Sequence, residues 1–334
     1  TGENRLVFHK EDWDATGGIC GVDVNLGEVR VGLWEGWVFV TLDPEIESLE
    51  EYLHPLPDVF AKFDYKNTRL AWHKTVILEC NWKVVLEAFL ESYHTATTHP
   101  QALKFGSRKP FSQAHGKHSL FAFHFVRPPE PDPSAPPVDY RLARYAYVEE
   151  MNRTLGALWG RHGLKAAERL LTDLPETATF DEVNQAFVRF HSEAMAEDGA
   201  RYPVEVTPED LQRAGTAWNV FPNMIVLPTI DGWQGYRARP NGDDPDSAIF
   251  DIWWLERSAP DAPSTVEPEF YPTMESFKGV CYFLEQDFDN IKAIQQGVKS
   301  SRMKAIRPNP AQEVTIQTFE RTYYEHLVAP RGQA

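Results

Sequence analysis

Two histidines near the expected end of a helix are the first candidates for metal ligands. His94 and His99 lie five residues apart, and the helix is expected to begin at Asn81 and to run to about Tyr93. A chain that bends at the helix end brings both imidazoles to one point, and imidazole binds zinc, copper and iron. Two histidines do not complete a site, so a third ligand, usually a carboxylate, must come from elsewhere.

Asp287 is the carboxylate that the sequence offers. A long helix is expected from about residue 273 to residue 300, and its apolar stripe has spacings of three, four and seven: Phe277, Val280, Leu284, Ile291, Ile294 and Val298. Asp287 lies on this stripe, seven residues from both Val280 and Ile294. A buried carboxylate is unfavourable unless it is paired or binds a metal. Glu285 and Asp289 point elsewhere and are expected to be solvated.

Each of these residues also has a purely structural explanation. Histidines near a helix end are more often hydrogen-bonded polar residues than ligands, and Asp287 can form an ion pair inside a core. Helical spacing places Glu87, Glu91 and His94 on one polar face, which is also the pattern of a solvated helix. The spacing alone therefore leaves the metal site open.

A second group of histidines is a weaker candidate. His115, His118 and His124 lie beside an expected strand from residue 119 to residue 126. Side chains alternate along a strand, so His118 and His124 share one face while His115 does not. This group is therefore less favoured than the pair at His94 and His99.

The composition excludes several classes of function. The 334 residues include 33 Lys and Arg against 49 Asp and Glu, and a net charge of −16 repels the phosphates of nucleic acid. No apolar run reaches the roughly 18 residues of a membrane span, and no signal peptide is expected. Cys20, Cys80 and Cys281 lie too far apart for zinc-ribbon, iron–sulfur or disulfide frameworks within the chain. A cytoplasmic location is the expectation.

The elements that must position the candidate ligands are strands and helices in separate blocks. Strands are expected at 29–33, at 37–42, at 69–80 and again between 217 and 255, with helices from about 140 to 215 and at the end. Blocks without βαβ alternation are typical of an α+β fold with an antiparallel sheet. A proline-rich surface loop is expected at 128–137.

The sequence around the histidines resembles the iron-binding signature of Rieske non-haem iron oxygenases, the catalytic α subunits of aromatic-ring-hydroxylating and related oxygenases. The matching residues are Asn81-Trp82-Lys83, Glu87, Phe89, Glu91, Tyr93-His94 and His99-Pro100. The resemblance continues at 36–40 and 42–44, which are similar to the segment that closes the Rieske domain of that family. It returns at Glu285-Gln286-Asp287 and Gln295-Gln296-Gly297, where the family supplies its third ligand.

The resemblance implies a role for each candidate residue. His94, His99 and Asp287 would bind a mononuclear Fe(II) as two histidines and one carboxylate. Glu91 would bond a ligand histidine and reach a Rieske histidine of the neighbouring subunit in a homotrimer. Most members of the family have Asp at that position, and some branches have Glu.

Two departures from the family pattern stand out. Ala88 replaces the usual Asn, and the chain contains neither the C-x-H nor the C-x-x-H motif that binds a Rieske [2Fe–2S] cluster. That cluster is therefore expected in the full-length protein or in a partner. Residues 1–43 resemble only the end of a Rieske-like β domain, and residues 44–334 a catalytic domain with a helical insert at about 140–215.

The resemblance implies a helix-grip fold, similar to START and Bet v1 domains, and O2-dependent hydroxylation with electrons from NAD(P)H through a reductase or ferredoxin. Aromatic residues on the strands predict an apolar, aromatic or polycyclic substrate between the sheet and the insert: Phe121, Phe123, Phe125, Trp218, Phe221, Trp233, Trp253 and Trp254. Any one of these residues also fits core packing.

Two alternative functions remain at this stage. Glu91 resembles the oxygenase branch that acts on quaternary ammonium compounds, whose pocket should offer an aromatic cage for the cation. Helix-grip domains also carry apolar ligands without chemistry. Metal content separates the classes, because a carrier needs no iron.

Overall fold

Residues 2–20, 24–102, 109–124 and 137–328 are described in the structure, a computed structural model, and they divide into two units. The first unit, Thr1–Tyr52, contains an antiparallel hairpin of β1 (Arg30–Trp34) and β2 (Trp37–Thr41). Gly36 forms its turn at a φ of 87°. Helix α1 (Leu49–Leu53) follows Ser48, whose hydroxyl and backbone N–H both donate to Glu51.

The second unit, Leu53–Ala334, is built on an eight-stranded sheet. Its strands are β3 (Thr68–Leu78), β4 (Pro110–His115), β5 (His118–Phe123), β6 (Ala217–Val220), β7 (Met224–Pro228), β8 (Gly232–Asn241), β9 (Asp244–Arg257) and β10 (Glu269–Tyr271). Their order is β10-β3-β9-β8-β7-β6-β5-β4, and every neighbouring pair is antiparallel except β10 with β3. The end of the predicted 119–126 strand, with Phe125, and most of the proline-rich stretch lie outside the described residues.

The helices of this unit fall into two groups. Helices α3 (Trp82–Ala88), α9 (Tyr282–Val298) and α10 (Val314–Val328) share one apolar core with the sheet. Helices α5 (Tyr140–Leu155), α6 (Arg161–Asp173), α7 (Phe180–Glu197) and α8 (Pro208–Ala214) occupy the stretch expected to be an insert. Short helices α2 (Leu56–Phe60) and α4 (Thr95–Thr98) complete the set. The α+β, helix-grip prediction is confirmed. Among the described helices, none combines the length and apolarity that crossing a membrane requires.

The sheet has aromatic side chains on both faces, so the aromatic residues expected beside a substrate do not all lie on one side of it. Trp233 stacks on Tyr65 with ring centroids 4.5 Å apart, and Trp218 packs edge-on against Phe60 of α2. Trp253 follows the same alternation, and its ring lies 5.4 Å from that of His73. Of the five aromatic residues predicted on the later strands, Phe221 and Trp254 belong to the core beneath α3, α9 and α10. The period of two along a strand explains the division.

Candidate metal centre

The two candidate histidines lie at the two ends of one short helix. Asn81 begins α3 by accepting a hydrogen bond from the backbone N–H of Lys83. The helix ends at Ala88, so the predicted continuation to Tyr93 is wrong. His94 then precedes α4 and His99 follows it, which places both imidazoles at the ends of a single turn.

Glu91 is the physical reason for the early end of α3. Its carboxylate accepts the backbone N–H groups of Tyr93 and, at 3.0 Å, of His94. These bonds begin a new turn and replace the carbonyl partners that a continuous helix would supply. Phe89 stacks on Phe250 of the sheet with ring centroids 5.0 Å apart, which anchors the last residue before the break.

Asp287 lies on the buried face of α9. It is 4% exposed and shares that face with Leu284, Phe288 and Ile291. Ile294 is 40% exposed, so the predicted stripe is wrong at that position.

The helix itself begins at Tyr282 and not near residue 273, because the preceding backbone is not helical. Gly279 has a φ of 81°, and Cys281 is extended. Glu285, expected to be solvated, instead accepts the backbone N–H groups of Gly279 and Cys281 at 2.9 Å and 3.1 Å, and so caps the helix start.

The structure brings the three candidate side chains together. Oδ1 of Asp287 lies 2.9 Å from Nε2 of His99 and 3.5 Å from Nε2 of His94. One donor atom from each residue lies within 4.8 Å of the other two. In the described part of the chain, the ion-pair partners of Asp287 are these two imidazoles, and no Lys or Arg side chain joins them.

The hydrogen bonds on the outer side of each ring determine which nitrogen faces the centre. Nδ1 of His94 lies 2.6 Å from the Glu91 carboxylate, and Nδ1 of His99 lies 3.0 Å from the amide oxygen of Gln286. Both partners are acceptors, so each Nδ1 donates its hydrogen and each Nε2 faces inward.

The inner atoms then have the arrangement of a metal site. Nε2 of His99 is buried and has no hydrogen-bond partner among the described residues, although Asp287 is 2.9 Å away. Nε2 of each histidine and the carboxylate of Asp287 therefore face one point. Two imidazoles and one carboxylate are the donor set of non-haem Fe(II) oxygenases, so the residues present fit an iron ion.

Negatively charged carboxylates and aromatic rings surround the centre. Burial lowers the pKa of His94, but the hydrogen bond to Glu91 and the charges of Glu91 and Asp287 outweigh it and raise the pKa overall. The ring of Phe283 stacks on His99 with centroids 3.8 Å apart. Tyr236 is buried, and burial together with the nearby Cys281 and Asp287 raises its pKa well above the usual value, so its phenol stays protonated.

Two spaces adjoin this region. A cavity of about 140 Å³ lies between β3, the end of α5 and the start of α9. Its lining combines apolar residues with two cations: Trp72, Leu155, Val280, Leu284, Lys74 and Arg153. An open cleft of about 520 Å³ is lined by Pro100, Gln101, Glu150, Arg153 and Tyr282. The cavity lies between the sheet and the helices of the expected insert, where a substrate was predicted.

The second histidine group does not converge. Nδ1 of His118 accepts the backbone N–H of Phe221, and the ring of His124 stacks on Phe111. Among the described residues, the group of His, Cys, Asp and Glu side chains with metal-ligand spacing is His94, His99 and Asp287.

Two hydrogen-bonded pairs of side chains were not predicted from the sequence. Gln286 and Gln101 pair beside His99, although they lie 185 residues apart. Glu87 of α3 shares a hydrogen bond with Glu320 of α10. Gln286 was part of the motif that contains Asp287, but only the structure shows that its amide oxygen lies beside Nδ1 of His99.

Comparisons with known proteins were made once this geometry was established. The model of the family described as ring hydroxylating alpha subunit (catalytic domain) matches residues 58–329. The glycine betaine monooxygenase oxygenase subunit of Chromohalobacter salexigens is 29% identical over 106 residues, or 30% of this chain and 22% of that protein. The carnitine monooxygenase oxygenase subunit of Escherichia coli is 32% identical over 77 residues, or 22% of this chain and 20% of that protein. The matches thus span less than a quarter of these relatives.

Solved structures show a similar fold over nearly the whole chain. The quaternary ammonium Rieske monooxygenase CntA, in complex with an inhibitor, has a TM-score of 0.53 at 12% identity, covering 97% of this chain and 68% of that chain. Naphthalene 1,2-dioxygenase with indole bound in the active site has a TM-score of 0.55 at 16% identity, covering 98% and 70%. At such low identity the similarity is evidence of the fold alone.

Proposed function

Because this chain belongs to the family of ring-hydroxylating α-subunit catalytic domains, we propose that it catalyses O2-dependent hydroxylation of an apolar substrate at a mononuclear Fe(II) site. The proposed ligands are His94, His99 and Asp287. The convergence of their donor atoms within 4.8 Å of one another is the observation that carries this proposal. An Fe(II) ion bound by three protein groups on one face supplies open positions for O2 activation.

The chain's own residues would orient the ligands and exclude water. Glu91 accepts from Nδ1 of His94 and so holds its Nε2 toward the centre, an arrangement that fixes tautomer and ring direction. His99 is fully buried beneath Phe283, which keeps water from its outer face.

Electrons would come from outside the chain described here. We expect NAD(P)H, a reductase or ferredoxin, and a [2Fe–2S] Rieske centre in the full-length protein or in a partner. Glu91 is the proposed link between that centre and the ligand His94, across the boundary of a homotrimer.

The proposed substrate is apolar and aromatic, and it would approach through the cavity between the sheet and the insert. That cavity is lined by Trp72, Leu155, Val280 and Leu284, and Leu284 lies one helical turn before Asp287. The two cations of the lining are paired within the chain, Lys74 with Glu269 and Arg153 with Glu150. The aliphatic and aromatic walls beside them favour a substrate without charge.

The buried cations also support a neutral substrate. In the described part of the chain, the buried cationic side chains are Arg141 and Arg257. Both donate to backbone carbonyl groups, Arg141 to Leu174 at 2.5 Å and Arg257 to Ile230 at 2.6 Å. Neither is available for a substrate carboxylate, which a betaine would bring into the core.

A quaternary ammonium compound is the second candidate, because two curated relatives are named for glycine betaine and carnitine oxidation. Glu91 resembles the same branch. The aromatic residues Phe89, Tyr236 and Phe250, whose rings pack within 5.4 Å of one another, could supply a face for a cation.

Reconstitution of the complete oxygenase separates these candidates. The protein would be supplied with a reductase, a Rieske centre and NADH, and then with arenes, steroids and quaternary amines under ¹⁸O2. We expect ¹⁸O in a hydroxylated apolar product. Coupled oxidation of a small quaternary amine, with arenes inert, would establish the second candidate. A complete system that oxidises neither class, despite bound iron, would contradict both.

A further inference from the structure

We infer that Gln286 positions His99 for metal binding, and that Gln101 holds Gln286 in the orientation that this requires. The inference rests on the iron site proposed above. It concerns the outer side of the second histidine ligand, where the acceptor is a neutral amide, in contrast to the Glu91 carboxylate behind His94.

The hydrogen bonds on Gln286 define the protonation of His99. Oε1 of Gln286 lies 3.0 Å from Nδ1 of His99 and 2.6 Å from Nε2 of Gln101. An amide oxygen can only accept, so Nδ1 of His99 carries the hydrogen and Nε2 keeps a lone pair for a metal. In the other tautomer the hydrogen would be on Nε2 and would block the metal.

Gln286 requires a partner because an amide can turn over and present its NH2 group instead of its oxygen. A turned amide would donate to Nδ1 of His99 and favour the tautomer with hydrogen on Nε2. Gln101 opposes this rotation, since its own NH2 group donates to Oε1 of Gln286. In return, Nε2 of Gln286 lies 3.4 Å from both the oxygen of Gln101 and the hydroxyl of Tyr282.

Burial makes this arrangement important to the energy of the site. His99 is fully buried, so its own Nδ1–H has little access to water when the amide partner is lost. An unpartnered buried Nδ1–H is costly, and the ring would relieve that cost by rotating or by changing tautomer. Partners of this kind typically change metal affinity by about 10- to 100-fold when they are removed.

The alternative is that Gln286 only connects α9 to the segment after α4. Gln295, on the same helix, provides a matched control, because it is also buried and its amide also joins distant segments. It accepts the backbone N–H of Asn81 at 3.1 Å and donates to Asp246 at 2.5 Å, with no contact to His99. A loss of tethering would affect Gln286→Leu and Gln295→Leu alike, whereas a positioning role would affect only the first.

The test is anaerobic titration of metal-free protein with Fe(II) against a competing chelator. We expect Gln286→Leu to bind iron about 10- to 100-fold more weakly than the wild type. Gln286→Glu, which restores an acceptor, should bind at least as tightly as the wild type. Gln101→Leu should show a smaller loss, and Gln295→Leu should be unchanged.

A second measurement does not depend on iron. In ¹⁵N-histidine-labelled metal-free protein, NMR reports the tautomer of His99, which should carry its hydrogen on Nδ1 in the wild type and in Gln286→Glu. That preference should be lost in Gln286→Leu. Folded Gln286→Leu protein with wild-type affinity and an unchanged tautomer would overturn this inference alone. Wild-type protein that binds no iron would instead overturn the proposed function, and with it the role assigned to Gln286.

Discussion

Oδ1 of Asp287 lies 2.9 Å from Nε2 of His99 and 3.5 Å from Nε2 of His94. The outer hydrogen bonds of the two rings, to Gln286 and to Glu91, hold both Nε2 atoms toward the carboxylate. The three donor atoms therefore converge on one point, which is the arrangement that a metal ligand set requires.

The first prediction is that Asp287→Asn removes tight iron binding. The Asn side chain has nearly the size of the carboxylate but lacks its negative charge, so it is a weaker ligand for Fe(II). Excess Fe(II) should raise the melting temperature of the wild type but not of the variant. Equal stabilisation of both proteins by Fe(II) would contradict the assignment.

The second prediction is that Glu91→Gln retains most of the iron and loses turnover. The amide oxygen can still accept from Nδ1 of His94, but the negative charge of the proposed link between the two redox centres is gone. In the complete oxygenase we expect turnover to fall about 10- to 100-fold. Glu79→Gln is the control, since Glu79 is an exposed carboxylate paired with Lys292. Normal turnover in Glu91→Gln would make Glu91 a purely structural residue.

The sequence predicted the fold class for identifiable reasons. The strand pattern of period two and the separate helical blocks depend on local alternation, which a single chain displays. Spacing selected His94 and His99, and a charge on an otherwise apolar helical stripe selected Asp287, but only the family resemblance favoured them over their structural explanations. The structure brings these three side chains together.

The sequence could not predict features that depend on which of two hydrogen-bond acceptors a donor group finds in the folded chain. The early end of α3 arises because the Glu91 side chain captures backbone N–H groups, while helical propensity alone favours continuation. The Gln101–Gln286 pair joins positions 185 residues apart, which periodicity cannot reveal. Trp233 and Trp253 lie on the face of the sheet opposite to Trp254. Aromatic content could not predict this, because it does not indicate which face of a sheet the helices cover.

The third prediction concerns the pH dependence of stability. Burial, followed by the hydrogen bond and charge of Glu320, raises the pKa of Glu87 from 4.5 to about 8. Between these values the folded state keeps a proton that the unfolded chain has released, so stability falls as pH rises from about 4.5 to about 8.

Glu87→Gln tests this effect, because an amide can donate to Glu320 without needing a proton. The variant should gain stability relative to the wild type as pH rises across that window, which thermal melts at its two ends measure. Glu325→Gln, at an exposed position of α10, is the control and should follow the wild type. Parallel curves for Glu87→Gln and the wild type would show that the carboxyl pair does not share a proton.

The fourth prediction tests the proposed substrate path. Leu155→Trp should fill part of the 140 Å³ cavity and lower kcat/KM for an apolar substrate, while iron content stays unchanged. Overpacking should cost about 1–3 kcal/mol of stability. Leu142→Trp, on the same helix at a position that is 53% exposed, is the control. Unchanged kcat/KM in folded Leu155→Trp protein would exclude this cavity as the substrate path.

The central claim is that His94, His99 and Asp287 together bind one iron ion, and metal analysis of purified protein tests it most directly. Wild-type protein and the variants His94→Ala, His99→Ala, Asp287→Ala and His115→Ala would be loaded anaerobically with Fe(II), desalted and assayed for bound iron. We expect stoichiometric iron in the wild type and in His115→Ala, whose histidine belongs to the group that does not converge. Each of the other three variants should lose it. Wild-type iron content in His94→Ala or in Asp287→Ala would contradict the account.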